Sequence, residues 1–152
     1  MQIELAKRVA ARPQKVFETV VDAVHWPQIM RSVIAVEVLT GGPLRVGTRL
    51  REIHVMFGQQ TTEELQVMEL ERPRRLLLAG HNHGLHYERD HIIDALDVGS
   101  RLMLIFRTKP QAQSQTGRAL MDFITPYMEV NLRDELERDL ADLAAAVTQA
   151  AV

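Results

Sequence analysis

The chain has 152 residues, of which 46% are hydrophobic and 25% charged, as in an ordinary soluble domain large enough to bury its own core. Its 18 basic and 20 acidic residues give a net charge of −2, so no strong field favours nucleic acid or an anionic membrane. There is no cysteine, which excludes disulfides and thiolate chemistry, and no apolar run typical of a signal peptide or membrane span, so we expect a cytoplasmic protein.

A strand and a short helix begin the chain. Apolar and polar residues alternate over residues 3–9, which predicts a strand with one buried face. Pro13 then opens a helix, since its missing N–H does no harm in the first turn, and the apolar spacing extends this helix to Val24. The predicted buried stripe consists of Val16, Phe17, Val20, Val21 and Val24. The proline after Trp26 disfavours a helical conformation there, so the helix should break, with a short helical turn over residues 27–31.

A long region of strand pattern follows, without a second helix. Its turns are marked by Gly41-Gly42-Pro43, Gly58-Gln59, Arg72-Pro73, His83-Gly84 and Gly99-Ser100. The segments between them predict six strands, over residues 34–38, 48–57, 60–70, 76–82, 85–96 and 101–108. A sheet of this size must bury one face, and only the element that follows is large enough to cover it.

That element is a long helix over residues 117–149. At 100° per residue, one apolar stripe runs along its whole length. The stripe consists of Met121, Thr125, Met128, Leu132, Leu136, Leu140, Leu143 and Val147. The first half of this helix also carries apolar residues on its opposite side, namely Phe123, Tyr127 and Val130. Another part of the structure must bury this second apolar face. A homodimer through Phe123 and Tyr127 would do so, and the loop at 110–117 or a ligand portal are the alternatives.

The order of these elements resembles the START-like, or SRPBCC, superfamily, and within it the polyketide cyclase/dehydrase group. The matching segments are RPQKVF at 12–17, WP at 26–27, VGTRL at 46–50, GSRL at 99–102 and RDLADL at 138–143. The resemblance implies an α+β helix-grip fold over the single domain 1–152. In this fold a curved, seven-stranded antiparallel sheet wraps around the long C-terminal helix and encloses an apolar cavity.

The resemblance also implies a small hydrophobic ligand, since members bind lipids, quinones, polyketides or hormones, and some are cyclases or hydrolases. The first hypothesis is therefore a carrier or sensor of such a ligand. The alternative is a cyclase- or dehydratase-like enzyme that acts on a polyketide-like substrate by general acid/base chemistry. A third class, a protein-interaction module, depends only on the two apolar faces of the last helix. Inward titratable residues with perturbed pKa values would favour the enzyme, and a dry apolar pocket the carrier.

A cavity between sheet and helix should have the ~300–1,000 Å³ of small-ligand sites. Its predicted wall comprises Trp26, Met30, His54, Met56, Tyr87, Arg89, His91, Met121, Ile124 and Met128. Trp26 can equally be an aromatic side chain that fills the core. His54 lies between apolar residues, where a histidine is more often a core or surface group with its hydrogen bonds satisfied than a catalyst. An arginine such as Arg89, if buried beneath a helix, needs a carboxylate or a ligand acceptor, and the candidate carboxylates are Glu52, Glu63 and Glu64. The alternative is an exposed cross-strand charge ladder. No catalytic residue follows from the sequence.

Three histidines cluster around a predicted hairpin turn, at positions 81, 83 and 86. If His83-Gly84 is a two-residue turn, His81 and His86 face each other and could share a divalent ion, with His83 or Asp90 as a further ligand. Without a tightly spaced carboxylate, solvated histidines are the better interpretation. We therefore expect neither a metal nor a cofactor.

Overall fold

The computed structural model describes the backbone of residues 1–56, 58–82, 85–109 and 115–149. Within these ranges it describes every side chain except those of residues 82, 85, 109 and 115–127. The predicted turn at His83-Gly84 lies outside the described residues, and so do the side chains of Met121, Phe123, Ile124 and Tyr127.

The chain begins with strand β1 (Gln2–Val9), helix α1 (Pro13–Val20), a 3-10 turn (Ala23–His25) and helix α2 (Trp26–Ile29). The predicted extension of α1 to Val24 is wrong, because regular helix ends at Val20 and Val24 is 57% exposed. The indole Nε1 of Trp26 donates to the Val20 carbonyl at 3.1 Å. This bond satisfies a carbonyl of the last helical turn and folds the chain back onto α1.

Six further strands form one sheet with β1. They are β2 (Val33–Val38), β3 (Arg49–Met56), β4 (Gln59–Glu71), β5 (Arg75–Asn82), β6 (Leu85–Ala95) and β7 (Ser100–Lys109). Their order across the sheet is β1-β7-β6-β5-β4-β3-β2, and every neighbouring pair is antiparallel. The seven-stranded antiparallel sheet predicted from the sequence is confirmed.

The side-chain alternation in β2 is interrupted near its start. The pairing of β2 with β3 shifts register between Val33 and Ala35, as in a β-bulge. Val33 is consequently buried, whereas Ile34 is 46% exposed. The sequence indicated a strand starting at Ile34, but a local irregularity of this kind is invisible in an alternation pattern.

The sheet packs around helix α3 (Gln115–Gln149), which confirms the helix-grip architecture. The described part of the predicted stripe faces the core, where Leu132, Leu136, Leu140, Leu143 and Val147 are all buried. Met128 is half-buried, and Val130 on the opposite side is 65% exposed. Among the described residues, no helix is long and apolar enough to cross a membrane.

Truncation of Leu140 to Ala should lower the free energy of unfolding by ~2–5 kcal/mol, because the side chain is 97% buried in the core and would leave a cavity. Val130→Ala on the exposed face of the same helix is the control, and it should change stability by less than ~0.5 kcal/mol. Urea unfolding followed by circular dichroism measures both. Equal losses in the two variants would contradict the orientation of α3.

Candidate functional site

A small cavity lies between the sheet and helix α3. Its volume is about 20 Å³, enough for one water molecule. The lining residues are Val20, Trp26, Met30, Leu78, Arg89, His91, Leu104, Leu136, Asp139 and Leu143. This volume is far below the several hundred Å³ expected from the sequence. Among the described residues, Trp26, Met30 and the leucines of α3 fill the space between helix and sheet.

One side of this cavity is polar. Arg89 and His91 are two residues apart on β6, so their side chains point to the same face of the sheet, towards α3. Asp139 reaches the cavity from α3, and the Ser32 hydroxyl holds it by donating to Oδ1 at 2.5 Å. A cation, an imidazole and a carboxyl group therefore meet in an otherwise apolar space.

The buried environment perturbs the pKa values of Asp139 and His91. Burial raises the pKa of Asp139 to about 6, because the Ser32 hydrogen bond and the Arg89 charge offset only part of the lost hydration. Burial and the Arg89 charge lower the pKa of His91 to about 4, although a hydrogen bond to the Leu76 backbone opposes them. At neutral pH the cavity thus holds a neutral imidazole and a carboxylate that is more basic than an ordinary aspartate.

Asp139→Asn should change how stability depends on pH. An unfolded aspartate has a pKa of ~3.9, and the folded value is about 6, so the folded state binds the proton more tightly. Asp139 therefore contributes stability that is fully present below pH ~4 and is lost as the pH rises through about 6. The Asn variant lacks this dependence and should gain stability relative to wild type between pH 4 and 7. Denaturant titrations across that range measure the difference, and a constant or falling difference would contradict the raised pKa.

Two polar atoms in this region are buried without a hydrogen-bond partner among the described residues, namely Nε of Arg89 and Nδ1 of His91. Buried polar atoms are nearly always satisfied in native proteins, and each exception needs an explanation. Both belong to residues that line the cavity. A water molecule or a polar group of a ligand at this position would satisfy them.

Glu52 on β3 holds the guanidinium of Arg89. Nη2 of Arg89 lies 3.2 Å from Oε1 and 3.3 Å from Oε2 of this carboxylate, which is 1% exposed. Burial alone would raise the pKa of Glu52, but the Arg89 charge and a hydrogen bond from His54 outweigh it and lower the pKa to about 2. Glu52, one of the three carboxylates that the sequence offered as candidates, is thus the partner of Arg89.

His54 lies beyond Glu52, in a second polar cluster next to the cavity. Its Nδ1 is 3.1 Å from Oε1 of Glu52 and 3.7 Å from Oε2 of Glu63, and its Nε2 is 3.2 Å from the hydroxyl of Thr61. Burial opposes protonation, but the two carboxylates outweigh it and raise the pKa of His54. Tyr87 completes the cluster, since its hydroxyl donates to Oε2 of Glu63.

Tyr87 fits this position because Gly80 lies opposite it on β5. A Cβ atom at residue 80 would run into the Tyr87 ring, so only glycine leaves room for the ring at this place. The ring also stacks on Phe106, with the centroids 5.3 Å apart. Burial and the neighbouring Glu63 raise the pKa of Tyr87, so its hydroxyl is protonated and acts as a donor.

Gly80→Ala should therefore destabilise the protein by ~1–3 kcal/mol, as overpacking does in a closed core. The same substitution in a Tyr87→Leu background is the control, because the shorter side chain leaves space for the methyl group. Thermal unfolding of the four proteins gives the coupling energy between the two positions. An unchanged cost in the Leu background would show that the Tyr87 ring is not what excludes the methyl group.

The structure separates the predicted wall residues into groups. Trp26, Met30, Arg89 and His91 line the cavity, whereas His54 and Tyr87 belong to the cluster behind it. Met56 is half-buried against the core, and Met128 is half-buried on α3. Trp26 is both a core plug and a cavity wall, since it is buried and its ring lines the space.

The hairpin histidines have the predicted geometry. His81 pairs with His86 across β5 and β6, with ring centroids 4.5 Å apart, and both residues are exposed. Asp90 is not oriented to join them, because Arg75 and Arg107 both bind its carboxylate on the outer face of the sheet. The part of the chain that the structure describes therefore shows a pair of exposed histidines here, as the sequence indicated.

Sequence reasoning missed Asp139 as a site residue. It lies three residues after Leu136 and four before Leu143, the spacing of one helical face, and both leucines also line the cavity. A carboxyl group on an otherwise apolar helical stripe is the signal that could have found it.

The sequence matches one family model over residues 1–148, and that family is described as polyketide cyclase / dehydrase and lipid transport. The chain belongs to this family. The match confirms the resemblance inferred from the segments at 12–17, 26–27, 46–50, 99–102 and 138–143. No curated protein matches the chain.

Some solved structures of similar fold belong to proteins with named roles. The Zhui aromatase/cyclase from Streptomyces sp. R1128 superposes with a TM-score of 0.83 at 18% identity, over 100% of this chain and 96% of its own. The di-domain ARO/CYC StfQ of the steffimycin biosynthetic pathway gives 0.79 at 12% identity, over 99% and 52%. A protein from Thermus thermophilus gives 0.73 at 18% identity, over 100% of both chains. At these identities the likeness to solved structures establishes the helix-grip fold alone.

Proposed function

We propose that the protein is a cyclase/dehydratase-type enzyme that moves protons on a small, apolar, carbonyl-bearing substrate of polyketide type. The observation that carries this proposal is the polar side of the cavity, where Arg89, His91 and Asp139 meet with perturbed pKa values. Burying three polar groups costs free energy, and binding a purely apolar ligand would not offset this cost. The family description and the aromatase/cyclase neighbours support the substrate class.

Each polar residue has a role in this reaction. The buried Nε–H of Arg89 donates to the substrate carbonyl and stabilises the enolate oxygen that forms when a proton leaves the adjacent carbon. Asp139, with its pKa of about 6, is ionised at neutral pH and is the base that removes this proton. Nδ1 of His91 accepts a hydrogen bond from a substrate hydroxyl.

Dehydration of a β-hydroxy ketone proceeds in this site through an enolate. The α C–H bond breaks and its electron pair enters the enolate. The enolate then collapses to a carbon–carbon double bond, while the C–O bond at the β carbon breaks. The proton that Asp139 took is returned to the departing oxygen, so water leaves and the carboxylate is regenerated.

A substrate needs more room than the cavity of about 20 Å³ provides. The carbonyl oxygen fits the water-sized space, and the apolar remainder must displace the side chains that close it. Met30 is suited to this movement, because an unbranched thioether side chain adapts its shape at low cost.

The test uses 4-hydroxy-4-phenylbutan-2-one, a β-hydroxy ketone whose dehydration gives a conjugated enone with strong ultraviolet absorbance. We expect the protein to accelerate the appearance of this absorbance with saturation kinetics, and heat-denatured protein to give only the background rate. Failure to accelerate the reaction, together with measurable binding of the ketone by NMR line broadening, would contradict the enzyme proposal.

That result would favour the second candidate function, which is a carrier of a small hydrophobic ligand. Seven of the ten residues that line the cavity are apolar, and the family description includes lipid transport. A carrier would bind the apolar probe N-phenyl-1-naphthylamine, with a rise in its fluorescence, and leave the β-hydroxy ketone unchanged.

A further inference from the structure

The cluster behind the cavity brings together three side chains that ligate metal ions. Glu52 and His54 lie two residues apart on β3, so they share a face of the sheet, and Glu63 pairs with Glu52 across the β3–β4 ladder. All three are buried, with exposures of 1%, 7% and 4%. Their position is thus set by strand register and not by a flexible loop.

The separations from His54 to the two carboxylates are close to those around a tetrahedral ion. Nδ1 of His54 lies 3.1 Å from Oε1 of Glu52 and 3.7 Å from Oε2 of Glu63, and all three atoms lie within 4.8 Å of one another. Around a zinc ion with bond lengths of ~2.0–2.2 Å, tetrahedral ligand atoms are ~3.3–3.6 Å apart. The two His54 separations bracket this range, and the two carboxylate oxygens lie within 4.8 Å of each other, so the three side chains surround one point at which an ion could bind.

A metal ion would have to displace a proton from His54, because the neighbouring carboxylates raise the pKa of this imidazole. Nε2 of His54 is 3.2 Å from the Thr61 hydroxyl, so with its hydrogen on Nε2 the ring donates to Thr61 and presents the Nδ1 lone pair to the carboxylates. Glu52 can use Oε1 for a metal and keep Oε2, which is 3.3 Å from Nη2 of Arg89. A cation at this point would take the place of the proton that Nδ1 otherwise shares with the two carboxylates.

Glu52, His54 and Glu63 together offer two carboxylate oxygens and one imidazole nitrogen as ligand atoms. An imidazole with two carboxylates is a ligand set that suits zinc and related divalent transition ions.

We propose that Glu52, His54 and Glu63 form a buried binding site for a divalent transition-metal ion, with Zn²⁺ as the best fit. The three side chains occupy three positions of a tetrahedral centre and leave the fourth open. None of the three residues lines the cavity, but Glu52 also holds the guanidinium of Arg89, which does.

The test measures metal stoichiometry on tag-free, chelator-treated protein. We expect isothermal titration with ZnCl₂ to show one equivalent bound, and CoCl₂ to give the intense visible absorption of a tetrahedral Co²⁺ site. Both His54→Gln and Glu63→Gln should weaken zinc binding at least ~10-fold and abolish the cobalt spectrum. The Gln side chain at position 63 keeps an acceptor for Tyr87, so this variant serves if His54→Gln does not fold.

The matched control is the double variant His81→Gln/His86→Gln, which removes the exposed histidine pair with ring centroids 4.5 Å apart. It should bind zinc as the wild type does. The proposal is overturned if this control loses the zinc, if Glu63→Gln folds and binds as tightly as wild type, or if the wild-type protein binds less than one equivalent.

Discussion

Asp139→Asn should lower kcat for dehydration of 4-hydroxy-4-phenylbutan-2-one by ~10²–10⁴-fold, the contribution of a positioned general base. The amide cannot take the α proton, yet its oxygen still accepts the hydrogen bond from Ser32 that now measures 2.5 Å. The fold and the shape of the cavity should therefore survive, which circular dichroism checks. In wild type, log(kcat/KM) should fall as the pH drops through about 6, because protonation of Asp139 removes the base.

Asp142→Asn is the matched control for this variant. Asp142 lies three residues further along α3 and accepts hydrogen bonds from the backbone N–H and the Nε of Arg31, but it does not line the cavity. This variant should react at the wild-type rate. If both asparagine variants lose activity equally, the loss comes from a disturbed helix and Asp139 is not the base. If Asp139→Asn keeps full activity, the assignment is wrong outright.

Arg89→Met should lower the free energy of unfolding by ~3–5 kcal/mol, the cost of breaking a buried ion pair by removing one partner. The methionine fills much of the same space, but it leaves the carboxylate of Glu52 in the interior without its guanidinium partner. The pKa of Glu52, now lowered to about 2, should rise in this variant, because burial would no longer be outweighed. Denaturant unfolding at pH 7 measures the loss.

Arg101→Met is the control, since Arg101 on β7 also pairs with a carboxylate, that of Asp94 on the neighbouring strand β6. Its Nη2 is 2.7 Å from Asp94, but both side chains are nearly half exposed, at 45% and 44%. A surface pair of this kind is worth ~0–1 kcal/mol, so the control should be close to wild type. Adding Glu52→Gln to Arg89→Met should recover part of the stability. No recovery in the double variant would contradict the pairing, because the cost would then not come from an unpaired carboxylate.

The sequence by itself determined the architecture. Period-two alternation, glycine and proline at the turns, and a helical stripe from 121 to 147 are local signals, because backbone geometry fixes which side chains share a face. These signals were sufficient for seven strands and a long covering helix, and the order of short motifs was sufficient for the family. The sequence also placed Arg89 and His91 in the predicted cavity wall, with an exposed charge ladder as the alternative for Arg89, and in the structure both residues line the cavity.

The partners of these residues were decided by the tertiary structure. Asp139 meets Arg89 and His91 because α3 packs against the sheet so that all three residues line one cavity, and nothing in the local sequence pattern around them indicates this contact. Glu63 approaches His54 through the β3–β4 register, which a slip of one residue would have turned to the other face. The small volume of the cavity is likewise a result of packing, since it depends on how Trp26, Met30 and the α3 leucines fill space together. Local pattern specifies which face a side chain takes, whereas pKa, pairing and volume arise from contacts between elements distant in the chain.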